Sequence, residues 1–179
     1  MQSAVARYRL FFALWPSDEM RAQIEQGTRE LVRGAGGRPI PGVNLHVTLS
    51  FLGAVPITAI EGIVAAAAHV RAPAFTLEFD RAEIWSRARV LVLTASRTPD
   101  ALMTLVEGLQ ISSLQSNAAA QHQEYRAHIT LARDVERRAG VELPPAPRLF
   151  WTARDFALVV SKPGTNGSIY SVLHRWVLA

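Results

Sequence analysis

The sequence lacks cysteine and has a single lysine, and both facts restrict the chemistry it can perform. Without cysteine, the chain has no disulfide bond, no thiolate nucleophile and no cysteine-based zinc or iron–sulfur site. Lys162 is the only lysine, so 18 of the 19 basic residues are arginine. Guanidinium is the better bidentate partner for phosphate, although a compositional bias of the source genome would produce the same excess.

Long apolar runs are also missing. The first apolar stretch, Leu10 to Leu14, is five residues long and stops at Trp15, whereas a membrane helix needs about 20 apolar residues. We therefore expect no signal peptide, no membrane anchor and no membrane partner. The lack of cysteine agrees with a cytoplasmic location. Because no exposed apolar stripe indicates a dimer, we expect a monomer.

The arrangement of predicted elements indicates a duplicated α+β chain. Its 179 residues, 49% of them apolar, can bury one core, or two small lobes that share a cleft. Hydrophobic periodicity predicts short strands and helices without strict alternation, which favours the α+β class. The order strand, capped helix, strand occurs twice, from Arg9 to Leu52 and from Arg89 to Arg133. We expect two lobes related by a pseudo-two-fold axis and, since no linker separates them, a single domain over residues 1–179.

Both units end in the same pattern of histidine, aliphatic residue, threonine and leucine. The two copies are His46-Val47-Thr48-Leu49 and His128-Ile129-Thr130-Leu131. Side chains alternate between the faces of a strand, so each histidine shares a face with its threonine. The first strand predicts a core face made of Val43, Leu45, Val47, Leu49 and Phe51, with Asn44, His46, Thr48 and Ser50 on the polar face. An ordinary strand histidine explains one copy of the pattern, but not two at matching positions.

The paired motifs suit phosphoryl transfer. Two imidazoles across a cleft can act as general base and general acid, because the unperturbed pKa of histidine lies near neutrality. The hydroxyls of Thr48 and Thr130 can donate hydrogen bonds to the non-bridging oxygens of a phosphodiester. The candidate catalytic residues are therefore His46 and His128, with the two threonines as substrate-binding residues.

A metal centre is the competing chemical interpretation. Neither motif has an adjacent Asp, Glu or Cys, and a hydroxyl is a weak ligand for zinc. The sequence therefore predicts no metal ligands.

These residues resemble the 2H phosphoesterase superfamily, and within it the bacterial and archaeal RNA 2',3'-cyclic phosphodiesterases, also called 2'-5' RNA ligases. The resemblance spans nearly the whole chain, and the segments and residues that carry it are Arg9–Leu14, Asn44–Gly53, His128–Arg133, Ser161, Gly167, Tyr170 and Trp176.

The resemblance implies a bilobal α+β fold in which antiparallel sheets, flanked by helices, surround a central basic cleft. It also implies hydrolysis of an RNA 2',3'-cyclic phosphate to a 2'-phosphate without a cofactor, and a weak, reversible 2'-5' joining of RNA ends. By their place in the motifs, His46 would protonate the leaving 3' oxygen and His128 would activate water. Arg133 would be a further phosphate contact. Regular alternation places it on the strand face opposite His128, so this role requires a bulge or a strand end.

Two departures from the family pattern leave the substrate open. Ala127 replaces the usual proline before the second histidine, and the segment 80–92 lacks the expected Gly-Phe-Pro and Trp features. Alternative substrates are therefore a small cyclic phosphate, such as a cyclic nucleotide or ADP-ribose 1'',2''-cyclic phosphate. A non-catalytic RNA-end binder is a third hypothesis. Phe11, Trp85 and Tyr125 are candidates for stacking on a nucleobase, with core packing as the alternative.

Overall fold

The computed structural model describes residues 6–115, 125–136, 142–165 and 167–179. Helix α1 spans Asp18–Ala35, α2 spans Ile60–Ala67 and α3 spans Asp100–Gln115. The nine strands of the described residues are β1 (Arg7–Leu14), β2 (Arg38–Pro39), β3 (Val47–Pro56), β4 (Phe75–Trp85), β5 (Val90–Ala95), β6 (His128–Arg133), β7 (Leu149–Ala153), β8 (Asp155–Gly164) and β9 (Gly167–Val177). The α+β class is confirmed. None of the helices in these ranges is long and apolar enough to span a bilayer.

All these strands belong to one antiparallel sheet in the order β7-β4-β5-β6-β3-β1-β8-β9, with β2 paired to β6. The order has a two-fold pattern about its centre. The motif strands β3 and β6 lie in the middle, and next to each lies the strand that opens its own unit, β1 or β5. The predicted pseudo-symmetry is therefore present, but its two halves are joined into one continuous curled sheet.

The pseudo-two-fold axis passes between the two motifs. Strands β3 and β6 share one aligned residue pair, Val47 with Ile129, and each of these is the residue directly after its motif histidine. Because the two strands are antiparallel, the histidines lie on opposite sides of this pair. The pairing of Val47 with Ile129 thus places the two motifs on either side of the pseudo-two-fold axis.

Local sequence explains where the helices begin and end. The Ser17 hydroxyl accepts a hydrogen bond from the Met20 backbone N–H and caps α1, as its residue type favours. The helix ends at Gly36, whose φ of 68° is in the left-handed region. Its buried residues include Ile24 and Leu31, seven positions apart on one face.

The helices of the two units pack against the opposite halves of the sheet. Helix α1 contacts β6 and β7, whereas α3 contacts β3 and α2. The large side chains at the centre of the core include Phe12, Phe79 and Phe156. Each helix thus covers apolar strand residues of the other unit. Removing either helix would expose those residues to water, so this packing stabilises the association of the two halves.

The predicted core face of the first motif strand is partly wrong. Leu45, Val47 and Leu49 are buried, but Val43 is 65% exposed and Phe51 is 51% exposed. Val43 lies in a short 3-10 turn before the strand. Phe51 changes face because a register shift at Leu49 interrupts the pairing of β3 with β1 before Phe51 is reached. The short strand β2 and the strand β7, which follows a proline-rich loop, are additions that periodicity did not predict.

Candidate active site

A cavity of about 690 Å³ lies where the two motif strands meet. It is lined by all five residues that the sequence singled out, namely His46, Thr48, His128, Thr130 and Arg133. His46 immediately precedes β3 and His128 is the first residue of β6, so equivalent backbone positions present the two histidines. The predicted convergence of the motifs is therefore present in the structure.

Matching β-bulges shape the two motif strands. Ala13 pairs with Thr48 and Phe12 with Ser50, which leaves Leu49 as an extra residue in β3. Opposite β6, the partners skip Leu131 in the same way. The first extra residue in β3 and the extra residue in β6 are thus the leucines of the two motifs. A bulge of this kind reverses the facing of every residue that follows it.

The bulge in β6 brings Arg133 to the cavity. Regular alternation would place Arg133 on the face opposite His128, but the extra residue at Leu131 restores it to the same side. The corresponding position after the first motif is Phe51, which also lines the cavity. One motif therefore places a guanidinium at the site where its pseudo-symmetric copy places an aromatic ring.

The ring of His46 is enclosed by aromatic side chains. Its centroid lies 5.0 Å from that of Phe11, 5.7 Å from Trp15 in a stacked arrangement and 5.4 Å from Tyr170. Its Nδ1–H donates to the Asn44 carbonyl at 2.6 Å, since a carbonyl oxygen can only accept. The neutral ring then has an unprotonated Nε2, which accepts from the Thr48 hydroxyl at 3.0 Å.

Burial controls the protonation of His46. Loss of water around the ring lowers the pKa of His46 to about 4, and the charges of His128 and Arg133 act in the same direction, although the Asn44 carbonyl opposes them. At neutral pH this histidine is therefore unprotonated.

This shift predicts a loss of stability in acid. Between about pH 6.5 and pH 4 the unfolded chain binds a proton at His46 that the folded chain does not, so the free energy of unfolding falls by about 3 kcal/mol as the pH is lowered. Urea unfolding across this range, with NMR titration of the ring, measures both quantities. In His46→Asn this part of the pH dependence is lost. A wild-type ring that titrates near pH 6.5 would contradict the prediction.

His128 has a different setting. Its Nδ1–H donates to the Arg126 carbonyl at 2.8 Å, which leaves Nε2 available for proton transfer. Its ring lies 4.6 Å from that of Trp85. Burial lowers the pKa of His128, the hydrogen bond to the Arg126 carbonyl opposes that effect, and the Arg126 charge adds to it. Among the described residues, one aromatic ring packs against His128, whereas three pack against His46.

The cavity is positively charged. Arg9 and Arg38 line it together with Arg133, and no Asp or Glu is among its lining residues in the described part of the chain. Such a field attracts and orients anions. Separately, no group of three or more His, Cys, Asp or Glu side chains placed to hold a metal ion is found among the residues that the structure describes.

Sequence reasoning missed three residues of the site: Trp15, Arg38 and Phe51. Trp15 follows the first strand and stacks on His46, whereas Arg38 lies in β2, which pairs with β6 beside Arg133. Only Phe51 had a usable signal, because it is the fifth residue after its motif histidine, as Arg133 is. The pairing of β1 with β3 brings Trp15 to His46, and the pairing of β2 with β6 brings Arg38 to the cavity. The sequence pattern does not encode either pairing.

The predicted stacking residues have mainly structural contacts. Phe11 is 3% exposed and packs on His46. Tyr125 donates from its hydroxyl to the Thr48 carbonyl at 3.2 Å, and burial raises the pKa of Tyr125. Phe11 and Trp85 both line the cavity, but each packs on a motif histidine, Phe11 on His46 and Trp85 on His128. Phe51, half exposed in the cavity, is the better-placed ring for a base.

Comparisons with known proteins identify relatives over nearly the full length. The family model described as LigT-like phosphoesterase matches residues 14–92. The RNA 2',3'-cyclic phosphodiesterase of Escherichia coli K12 is 34% identical over 95% of this chain and 96% of its own. That of Thermus thermophilus is 29% identical over 95% of this chain and 90% of its own. The crystal structure of E. coli LigT with 3'-AMP superposes with a TM-score of 0.87 at 32% identity, covering 96% and 98% of the two chains.

A continuous antiparallel sheet with two histidine motifs at its pseudo-two-fold centre defines a 2H phosphoesterase. Within this class, the chain belongs to the family of LigT-like phosphoesterases.

Proposed function

We propose that this protein hydrolyses RNA 2',3'-cyclic phosphate ends to 2'-phosphates, with His46 and His128 as its catalytic residues. The observation that carries the proposal is the pairing of the two motifs around one basic cavity. The names of the relatives from E. coli and T. thermophilus support the substrate class. An RNA end is polyanionic, which suits the arginine-lined cavity.

The proposed step is an in-line displacement at phosphorus. One histidine takes a proton from water, the water oxygen forms a bond to phosphorus, and the bond from phosphorus to the 3' oxygen breaks. The second histidine gives its proton to that oxygen, which leaves a 2'-phosphate and a 3'-hydroxyl. All protons and electron pairs are accounted for, so the step requires no cofactor or metal.

The surroundings of the histidines support His46 as base and His128 as acid. This reverses the roles that the family resemblance implies. Burial lowers the pKa of both histidines, but the larger shift, to about 4, is at His46, which is unprotonated at neutral pH and can accept a proton at Nε2; His128 therefore holds a proton more readily than His46 does. The Thr48 hydroxyl donates to that nitrogen, and turning the hydroxyl toward the phosphate would free the lone pair of Nε2. Thr130 and Arg133 then complete the set of donors to the non-bridging oxygens.

The same site supports reversible 2'-5' ligation as a secondary activity. A ribose 5'-hydroxyl in the position of the attacking water would form a 2',5' linkage by the reverse of the corresponding cleavage, with the same two histidines. We also propose that residues 1–179 act as one domain, because one continuous sheet joins the two halves of the described chain, and that the protein is a monomer. RNA as the substrate supports a cytoplasmic location.

The test is a direct assay of chelator-treated protein. It is incubated with a short RNA that ends in a 2',3'-cyclic phosphate and, separately, with free 2',3'-cyclic mononucleotides, and the product isomer is identified. Conversion of the RNA to a 2'-phosphate is expected. Activity on mononucleotides alone would indicate a small cyclic phosphate as substrate, and inactivity on both would shift the proposal to an ADP-ribose derivative or to RNA-end binding.

A further inference from the structure

A charged group, the carboxylate of Glu83, is hydrogen-bonded to the residues that contact His128. The Glu83 carboxylate accepts three hydrogen bonds, from Trp85 Nε1 at 3.0 Å, from the Thr94 hydroxyl at 2.9 Å and from the Arg126 guanidinium at 2.8 Å. Its side chain is 31% exposed, and these bonds lower the pKa of Glu83 although burial opposes them. The carboxylate is therefore ionised at neutral pH and anchors residues from three segments of the chain.

Two of these residues contact His128 directly. Trp85 packs its ring against the imidazole, and Arg126 provides the carbonyl that accepts from His128 Nδ1. The Arg126 guanidinium also lies over the Trp85 ring, 5.4 Å from its centroid. Glu83 thus binds the side chains of both residues that define the plane and the tautomer of His128.

The pseudo-symmetry shows why the second motif needs this carboxylate. Leu14 pairs with Val47 and Leu93 pairs with Ile129, so Trp15 and Thr94 follow at equivalent positions of the two halves. Trp15 itself stacks on the first motif histidine. Thr94 is too small to stack on His128. Its hydroxyl instead donates to the Glu83 carboxylate, which also accepts a hydrogen bond from Trp85 of the neighbouring strand β4.

We propose that Glu83 is a positioning residue for His128, which it orients through Trp85 and Arg126 and shields from the Arg126 charge. This inference rests on the proposed function for its kinetic effect, but its structural part does not. The charged and titratable groups that face His128 in the described chain are Arg126 before β6, Glu83 on β4 and His46 before β3, while Arg9, Arg38 and Arg133 line the same cavity. The neighbouring strand β5 contributes uncharged residues only.

The test is NMR titration of the His128 ring in two single variants. In Glu83→Gln the Arg126 charge is no longer compensated, so His128 should titrate at lower pH than in the wild type. In Arg126→Gln the cation is lost and the carboxylate remains, so His128 should titrate at higher pH. The double variant should lie between them. Glu78→Gln is the matched control. Glu78 lies on the same strand as Glu83, but its carboxylate pairs with Arg148 and does not line the cavity.

Kinetics supply the second measurement. Glu83→Gln should lower kcat about tenfold with little change in KM, since a misplaced proton donor affects the chemical step more than binding. The alkaline limb of the pH–rate profile should move in the direction of the His128 titration in each variant. Unchanged His128 titration in both single variants would overturn the positioning role. If no cyclic phosphate is hydrolysed at all, the proposed function fails while the NMR result still decides the role of Glu83.

Discussion

Alanine in place of either motif histidine is expected to reduce kcat on the RNA cyclic phosphate by roughly 10²–10⁴-fold, with the fold retained. The reason is that His46 and His128 both line the cavity and each supplies one of the two proton transfers. Single-turnover assays with saturating RNA measure the effect. Because His46 also fills space among aromatic rings, His46→Asn should be assayed beside His46→Ala to separate catalysis from packing.

The matched control for both variants is His69→Ala. His69 lies just after α2, is exposed and does not line the cavity, so its loss should leave kcat within twofold of the wild type. Thermal unfolding of each variant verifies that the fold persists. Activity within tenfold of the wild type in either motif variant, with the protein folded, would be incompatible with the two-histidine mechanism.

The second large effect is expected from Thr130→Val, which should lower kcat by about 10²-fold. Valine keeps the shape of the side chain but removes the hydroxyl that we propose donates to a non-bridging oxygen as charge develops there. The loss should appear in kcat more than in KM, because a donor aimed at the transition state stabilises the substrate less. Steady-state kinetics on the RNA cyclic phosphate make the distinction.

Thr76→Val provides the comparison. It is the same substitution at a strand position outside the cavity, where Thr76 shares a hydrogen bond with Thr152 of β7. We expect nearly wild-type kcat and KM. Equal losses in the two variants would mean that Thr130 acts through the stability of the sheet, and an unchanged kcat in Thr130→Val would remove it from the catalytic machinery.

Much of the site could be predicted because a strand motif carries its own geometry. The repeat of His-x-Thr-Leu at His46 and His128 predicted that both histidines face one cleft, and both line one cavity. The helices were predictable for similar reasons, since capping by Ser17 and the breaker at Gly36 are local interactions. These features depend on residues close in sequence, where alternation and capping act directly.

The strand face on which the residues after each motif lie was less predictable. Simple alternation placed Phe51 in the core and left the facing of Arg133 dependent on a bulge, and the extra residues at Leu49 and Leu131 settle both positions. A bulge arises from the pairing of a strand with its neighbours. Those neighbours, β1 and β5, lie more than 30 residues away in sequence, so no local pattern indicates it.

The sequence by itself determined the pair of proton-transfer groups, their threonine companions and the duplicated order of elements, because each follows from residue type and short-range periodicity. Only the tertiary structure decided which groups surround each histidine. The aromatic enclosure of His46 and the carboxylate behind His128 are assembled across strands that are distant in the chain. Since burial and neighbouring charge set the pKa of an imidazole, it is this long-range packing that makes two identical motifs chemically different.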